Sequence, residues 1–334
     1  MTGLRIGSVC TGYGGLDIAV RQVLGGELAW VADNDPGAAR ILAHHHPGVP
    51  NLGDITTTDW HDVEPVDVYI GGYPCQPFST AGKRKGTEDA RHIWPFIARA
   101  LGVLRPRYAI FENVANHLRL GFDTVLCDLA DLGFNVEWCV VRADEVGAPH
   151  QRRRLVFLAT AADASRTGQQ RQGVRGRASQ RGGAAADAPY LGHERGGGAR
   201  RGRSGPAHGR GAAADACGGH VAEQPHPDGR GSDQAEPAFD DGAAWGKYAP
   251  AVARWEAVTG RRAPWATDDR GRLNPVFVEW VMGLDTGHVT AVTGLTRTAQ
   301  LKALGNGVVP LQAAAALRVL LDRAHTTSGR GVAA

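Results

Sequence analysis

The chain has 334 residues, 43% hydrophobic and 21% charged, with a net charge of +3, which allows one substantial core and a smaller second domain. Its five cysteines form no C-x-x-C pair, which argues against a zinc ribbon or a disulfide scaffold and for a reducing compartment. With no cleavable apolar leader before Leu4 and no stretch of membrane-spanning length, the expectation is a soluble cytoplasmic protein without a membrane segment.

In chain order, Leu4 to Val9, Leu28 to Ala32, Val66 to Ile70, Tyr108 to Phe111, Val136 to Val141 and Leu155 to Ala159 are short apolar or β-branched runs and read as strands. Helical patterns lie between them. Leu16, Ala19, Val20, Val23 and Leu24 share one face before Gly25-Gly26. Ile93, Ile97, Leu101 and Leu104 make a second, ended by Arg105-Pro106, and Phe122 to Leu132 a third, with Gly133 after it. Cys127 and Cys139 fall in apolar runs and are expected to be inert core residues. This alternation predicts an α/β fold: a mostly parallel sheet flanked by helices, with ligands at the carboxyl ends of the strands.

The character changes after Ala159. From Thr160 to Asp240 the large apolar residues other than valine are Tyr190, Leu191 and Phe239. Ala-Ala-Asp-Ala recurs at 161–164, 185–188 and 213–216 among glycine-rich stretches. Between Arg166 and Arg210 stand ten arginines, no lysine and two acids, so this segment carries +8 and the rest of the chain −5. Such a surplus suits a polyanion, nucleic acid above all; a solvated arginine–glycine insert is the plainer alternative. Trp245, Tyr248, Trp255 and Trp265 mark the return of order. Asn274 to Gly283 then reads as a helix with Pro275 in its first turn, Pro310 to His325 as another, and Thr326 onward as a frayed tail.

Two strand ends carry the chemistry. Gly72-Tyr73-Pro74-Cys75-Gln76-Pro77-Phe78-Ser79 places a cysteine between two prolines directly after a strand, and Glu112-Asn113-Val114 ends the next apolar strand. A thiol and a carboxylate at neighbouring strand ends can add to C6 of a cytosine ring and steady the charge that builds on N3. Taken singly, each residue has a duller reading. A cysteine before a turn packs, a glutamate pairs on the surface, and Arg152 to Arg154 form a solvated basic turn. The glycine loop Gly12 to Gly15 lacks the dinucleotide spacing, and Asp33 could bind ribose hydroxyls or cap a helix.

In order along the chain, Thr11-Gly12-Tyr13-Gly14-Gly15, Asp33-Asn34-Asp35, Gly53-Asp54-Ile55, Pro74-Cys75-Gln76, Phe111-Glu112-Asn113-Val114, His150-Gln151-Arg152-Arg153-Arg154 and Gly305-Asn306-Gly307-Val308-Val309-Pro310 resemble the motifs of the C5-cytosine DNA methyltransferases of prokaryotes and phages. The resemblance covers residues 4 to 159 and 272 to 325. It implies a Rossmann-like S-adenosyl-L-methionine-dependent sheet over 1–159, completed by 272–325, with a smaller irregular target-recognition domain over 160–271, partly flexible, and a tail over 326–334. The roles it implies are Cys75 as nucleophile, Glu112 at N3 and the exocyclic amine, and Arg152 and Arg154 at the base and the neighbouring phosphate. Gln76 to Gly86 would be a mobile loop closing over the flipped base. For the cofactor it implies Cys10, Thr11, Gly12, Gly14 and Gly15 in the loop, Asp33 and Asn34 near the ribose, Asp54 and Ile55 at the adenine, and Pro74, Asn306 and Val308 toward the methionine part. Four positions depart from the family pattern. Cys10 stands for phenylalanine, Asp33 for glutamate, Asn34 for a bulky apolar residue and His150 for glutamine, and the first and third thin the apolar sandwich around the adenine.

The implied substrate is double-stranded DNA at a specific sequence, acted on by a monomer serving restriction–modification, with a cognate endonuclease, or protection of a phage genome. Arginines that pair with guanine edges would make a GC-rich site, while those that only neutralise phosphates would carry no sequence information. Two alternatives stay open: the same chemistry on a tRNA, and a non-catalytic DNA-binding protein on the same fold.

Overall fold

The computed structural model describes residues 3–74, 93–162 and 245–330, without the side chains of 327–330. Cys75, the loop from Gln76 to Gly86, the arginine-rich segment and all but Ala161-Ala162 of the repeats lie outside the described residues.

Six strands form one sheet: β1 (Arg5–Val9), β2 (Glu27–Ala32), β3 (Val68–Gly71), β4 (Tyr108–Val114), β5 (Phe134–Val141) and β6 (Arg154–Ala161), in the order β2-β1-β3-β4-β6-β5. β2, β1, β3 and β4 run parallel, and β6 pairs antiparallel with both β4 and β5. The sheet is therefore mostly parallel, as the alternation of elements predicts, with one reversed strand.

Its two faces are covered by different helices. Val9, Trp30, Tyr69, Phe111 and Phe157 meet α3 (Trp94–Leu104) and α4 (Phe122–Asp131) through Ile97, Leu101, Val125 and Leu129. On the other face Ile6, Ile70 and Leu158 meet α1 (Gly15–Leu24) and the last helix, α8 (Pro310–Arg330), through Leu16, Val20, Ala313 and Leu317. The sequence places the chain from 305 onward beside the N-terminal strand; the last helix instead packs on α1, β5 and β6, and it runs past the expected fraying point at Thr326 to Arg330. The helical stretch Arg297–Thr326 is long and apolar enough to cross a membrane, contrary to the expectation. It is interrupted at Gly307, and 61% of its apolar window is buried, as in a core helix.

Three helices were not foreseen. α2 (Pro36–His45) starts at Asp35, whose carboxylate accepts from the amides of Gly37 and Ala38. α7 (Arg297–Asn306) is capped by Thr296. Residues 245–271 lie in the same compact unit as the sheet. There α5 (Ala249–Thr259) buries Trp255 completely, and its indole donates to the Trp280 carbonyl on α6 (Pro275–Val281) at 2.8 Å. Cys127, expected in the core, is exposed on α4, and Cys139 is half-buried on β5. The helical period that buries Val125 and Leu129 turns Cys127 outward.

Candidate active site

A cavity of about 840 Å³ opens at the carboxyl ends of β1 to β4, within the range of small-molecule sites. Its floor begins with the β1–α1 turn. Gly12 and Gly14 have φ of 60° and 84°, backbone that a side chain would strain. Cys10 shares this left-handed geometry at φ 50°, and its amide donates to Ala32 at 2.8 Å. Burial, with the charges of Asp33 and Asp54, pushes its thiol up to about 12, so Cys10 is a neutral wall rather than a nucleophile.

Asp33 stands at the end of β2. It accepts from the amide of Gly12 at 2.8 Å and of Asp35 at 2.9 Å, which fastens the glycine loop to the neighbouring strand. Burial raises its pKa, and those two amides oppose the rise. Asp33 is thus not a helix cap; Asp35 takes that role and also pairs with Lys302 of α7. Asp54 is held low, chiefly by the backbone amide of Thr56 and then by its hydroxyl, and Asn34 reaches it at 3.4 Å. Ile55 supplies a buried apolar contact beside it.

The far wall is the returning chain. The Tyr13 hydroxyl donates to the Val308 carbonyl at 2.6 Å, and the Tyr13 carbonyl accepts from the His288 ring at 2.8 Å. His288 is carried by a loop in which buried Glu279 accepts from the amides of Gly287, Val289 and Thr290. A Cβ at Gly307 would stand 1.8 Å from the Tyr13 ring, and one at Gly15 would stand 2.3 Å from the Val308 carbonyl oxygen. Gly15 and Gly307 therefore admit neighbouring protein rather than ligand. Gly307→Ala is expected to cost about 1–3 kcal/mol, because the pinned Tyr13 ring cannot swing away. A thermal melt with the cofactor-binding isotherm checks it; an unchanged Tm would mean the ring yields.

The polar end of the cavity joins β3, β4 and β6. Glu112 is 7% exposed at the end of β4, and Arg154 opens the neighbouring β6. The Arg154 Nε lies 2.6 Å from Glu112 Oε1 as an ion pair that is not aligned as a hydrogen bond. Burial raises the Glu112 pKa, while the charges of Arg154 and Arg152 pull it down. A methyl built on Gly72 would sit 3.5 Å from Glu112 Oε2, so the carboxyl faces the turn leading through Pro74 to Cys75. Asn113 donates to the Tyr73 carbonyl at 3.1 Å and ties that turn to β4.

Arg152 sits differently. From a strained backbone at φ 21°, its guanidinium donates to the carbonyls of Gly305 and Gly307 at 2.8 and 2.6 Å. The Gln312 side chain in turn donates to the Arg152 carbonyl at 2.7 Å. Arg152 thus ties the basic turn to the cavity's far wall, whereas Arg154 lines the cavity itself.

The cavity brings together Cys10, Thr11, Gly12, Asp33, Asn34, Asp54, Ile55, Pro74, Asn306, Val308, Glu112 and Arg154 of the expected residues. Gly14, Gly15 and Arg152 support it from behind. Ser8, Asp17, Ile93 and Lys302 also line it. Sequence reasoning missed them: Ile93 was read only as part of a helix face, and Lys302 arrives only through the return of α7.

The Type II methyltransferase M.NgoBV of Neisseria gonorrhoeae is 33% identical over 147 residues, 40% of this chain and 35% of that protein. The orphan methyltransferase M.SPRI of Bacillus phage SPR is 29% identical over 163 residues, 46% of this chain and 37% of that protein. The chain thus matches little more than a third of the length of these curated relatives. The solved structure of the Entamoeba histolytica methyltransferase EhMeth shares the fold, with a TM-score of 0.56 over 97% of this chain and 99% of that one at 14% identity. The model of the C-5 cytosine-specific DNA methylase family matches residues 4–179, more than half of the chain, and on this ground the chain belongs to that family.

Proposed function

We propose that this chain is a DNA (cytosine-5) methyltransferase that acts on a cytosine flipped out of a specific duplex sequence, with S-adenosyl-L-methionine as methyl donor. The observation that carries the reading is the placement of Glu112 and Arg154 at the mouth of the Asp33–Asp54 cavity, beside the turn to Cys75.

The residues fit a nucleoside cofactor. Both Asp33 oxygens keep a free lone pair for ribose hydroxyls, Asp54 and Ile55 offer a carboxylate and an apolar face to an adenine, and Val308 closes the far side. When bound, the cofactor supplies an electrophilic methyl group on a sulfonium.

The chain's own residues do the rest. The Cys75 thiolate bonds to C6 of the base, and the displaced ring electrons move toward N3. Glu112 in its protonated form gives a proton to N3, so the addition builds no free anion, and C5 becomes nucleophilic. Arg154 holds the base and keeps the Glu112 carboxyl poised between burial and charge. After C5 is methylated, it gives its remaining proton to a solvent water. The C5–C6 double bond re-forms as the C6–sulfur bond breaks and Cys75 leaves as the thiolate, and N3 returns its proton to Glu112. Flipping the base costs a few kcal/mol, which contacts from the 160–271 segment would offset. In this reading that segment is the target-recognition domain, its arginines meet phosphates and guanine edges, and the enzyme works as a cytoplasmic monomer in restriction–modification, with a cognate endonuclease, or in phage genome protection.

The test is transfer of label from S-adenosyl-L-methionine to duplex DNA, with bulk tRNA in parallel and sequencing of the modified cytosines. Methylation of DNA at one short motif is expected. Label on tRNA alone would move the substrate to RNA, and tight DNA binding without label on either would make this a binding protein.

A further inference from the structure

Asp17 stands apart from the other carboxylates at the cavity. Asp33, Asp35, Asp54 and Glu112 each have an amide, hydroxyl or cationic partner. Asp17 is 2% exposed and lines the same cavity, yet neither of its oxygens has a hydrogen-bond partner. A carboxylate removed from water in this way is costly unless something answers it.

Its position invites two ordinary explanations, and neither supplies a partner within hydrogen-bond geometry. Third in helix α1, it could reach back to the cap amide as a capping-box acid, but the Gly14 amide already donates to the Thr11 carbonyl at 2.9 Å. Ser8 beneath it is near enough to lower its pKa somewhat, but the Ser8 hydroxyl is engaged with that of Thr11 at 3.0 Å. Its own amide lowers its pKa somewhat as well, and the helix N-terminus adds a general pull on negative charge, yet neither brings a partner within hydrogen-bond geometry of either oxygen. Burial pushes the carboxyl up to about 6, with Arg21 the charged side chain whose field reaches it. The α8 face packed on α1 is apolar, with Ala313, Ala314 and Leu317. Across the cavity stand Asp33, Asp54, Glu112, Arg154 and Lys302.

We propose that Asp17 is the counter-charge for a cationic group of the bound cofactor, its sulfonium or its α-ammonium. The inference rests on the reading of this cavity as the S-adenosyl-L-methionine site. Both cations belong to the methyl donor, and the demethylated product keeps only the ammonium, its sulfur having become a neutral thioether. If the sulfonium is the partner, Asp17 favours donor over product and so relieves product inhibition.

The experiment is calorimetric titration of the full chain and of Asp17→Asn with S-adenosyl-L-methionine and, separately, S-adenosyl-L-homocysteine. Titrations at pH 6 in two buffers of different ionisation enthalpy count the protons exchanged on binding. A cation arriving beside Asp17 drives it to the ionised form, so the wild type should release a proton fraction near pH 6 that Asp17→Asn lacks. The variant should also bind the donor about tenfold or more weakly at neutral pH. Loss confined to the donor assigns the sulfonium, and equal loss for donor and product assigns the ammonium. Unchanged affinities and unchanged proton release in Asp17→Asn would overturn the proposal while leaving the cofactor reading intact. A wild type that binds neither compound would remove the cofactor reading and this inference with it. Asp17→Glu, which keeps the charge, should retain the proton release, and a melt without ligand confirms that both variants fold.

Discussion

Cys75→Ala is expected to reduce methyl transfer by roughly four orders of magnitude or more, since without the thiol no bond to C6 forms and C5 stays a poor nucleophile. Binding should survive. The cavity walls that fit the cofactor are built from the β1–α1 turn, the ends of β2 and β3, and the 305–308 chain, and none depends on the sulfur. The measurement is turnover on duplex DNA alongside cofactor affinity by titration. Loss of both together would mean that the substitution disturbs the Pro74 turn instead of the chemistry. Retention of turnover would remove Cys75 as nucleophile. Trapping is the complementary check: a cytosine analogue that blocks loss of the C5 substituent should give a covalent protein–DNA species with the wild type and none with Cys75→Ala.

Glu112→Gln is the second large effect, expected to lower kcat by about 10²–10⁴. Glutamine preserves the shape and can still accept at the exocyclic amine, but it cannot pass a proton to N3. The cofactor affinity should change little, because Glu112 lies at the polar end of the cavity, away from Asp33 and Asp54. The pH profile carries more information than the rate. The acid must be protonated to act, so single-turnover activity falls as pH rises through the Glu112 pKa in the folded protein. Burial raises that pKa and the charges of Arg154 and Arg152 lower it. Removing the Arg154 charge therefore moves this alkaline fall to higher pH, whatever else it does to base binding. A fall that stays in place in Arg154→Ala, or that persists in Glu112→Gln, would assign it to another group.

Much of this site was legible along the chain because parallel α/β folds gather ligands at strand ends. The runs ending at Val9, Ala32, Ile70 and Phe111 could be read as strands from short apolar stretches, and the polar residues just beyond them were then candidates by position alone. Asp33 and Glu112 line the cavity in this way, whereas Asp54 and Pro74, which also line it, were marked only by the family resemblance. Two of the helices that were missed show the limit of that reading. In α2, Pro36-Gly37-Ala38-Ala39 and three consecutive histidines from His44 dilute the apolar face to Ala38, Ile41 and Leu42. In α7 the buried residue is Leu304 alone, so no periodicity marks it.

What the sequence by itself determined was local: which segments form most of the strands and helices, where the glycine turns fall, and which polar residues follow the strands. Only the tertiary structure decided how distant segments meet. It closed the cavity by bringing Val308 onto Tyr13, 295 residues away, through the space left by Gly307. It also set Arg154 beside Glu112 by running β6 antiparallel to β4, and turned Arg152 to the carbonyls of Gly305 and Gly307. It buried Asp17 without a partner. The physical reason is that periodicity and turn chemistry act over a few residues. Steric fit, strand direction and the pairing of buried charges are properties of the assembled core, and no short window of sequence contains them.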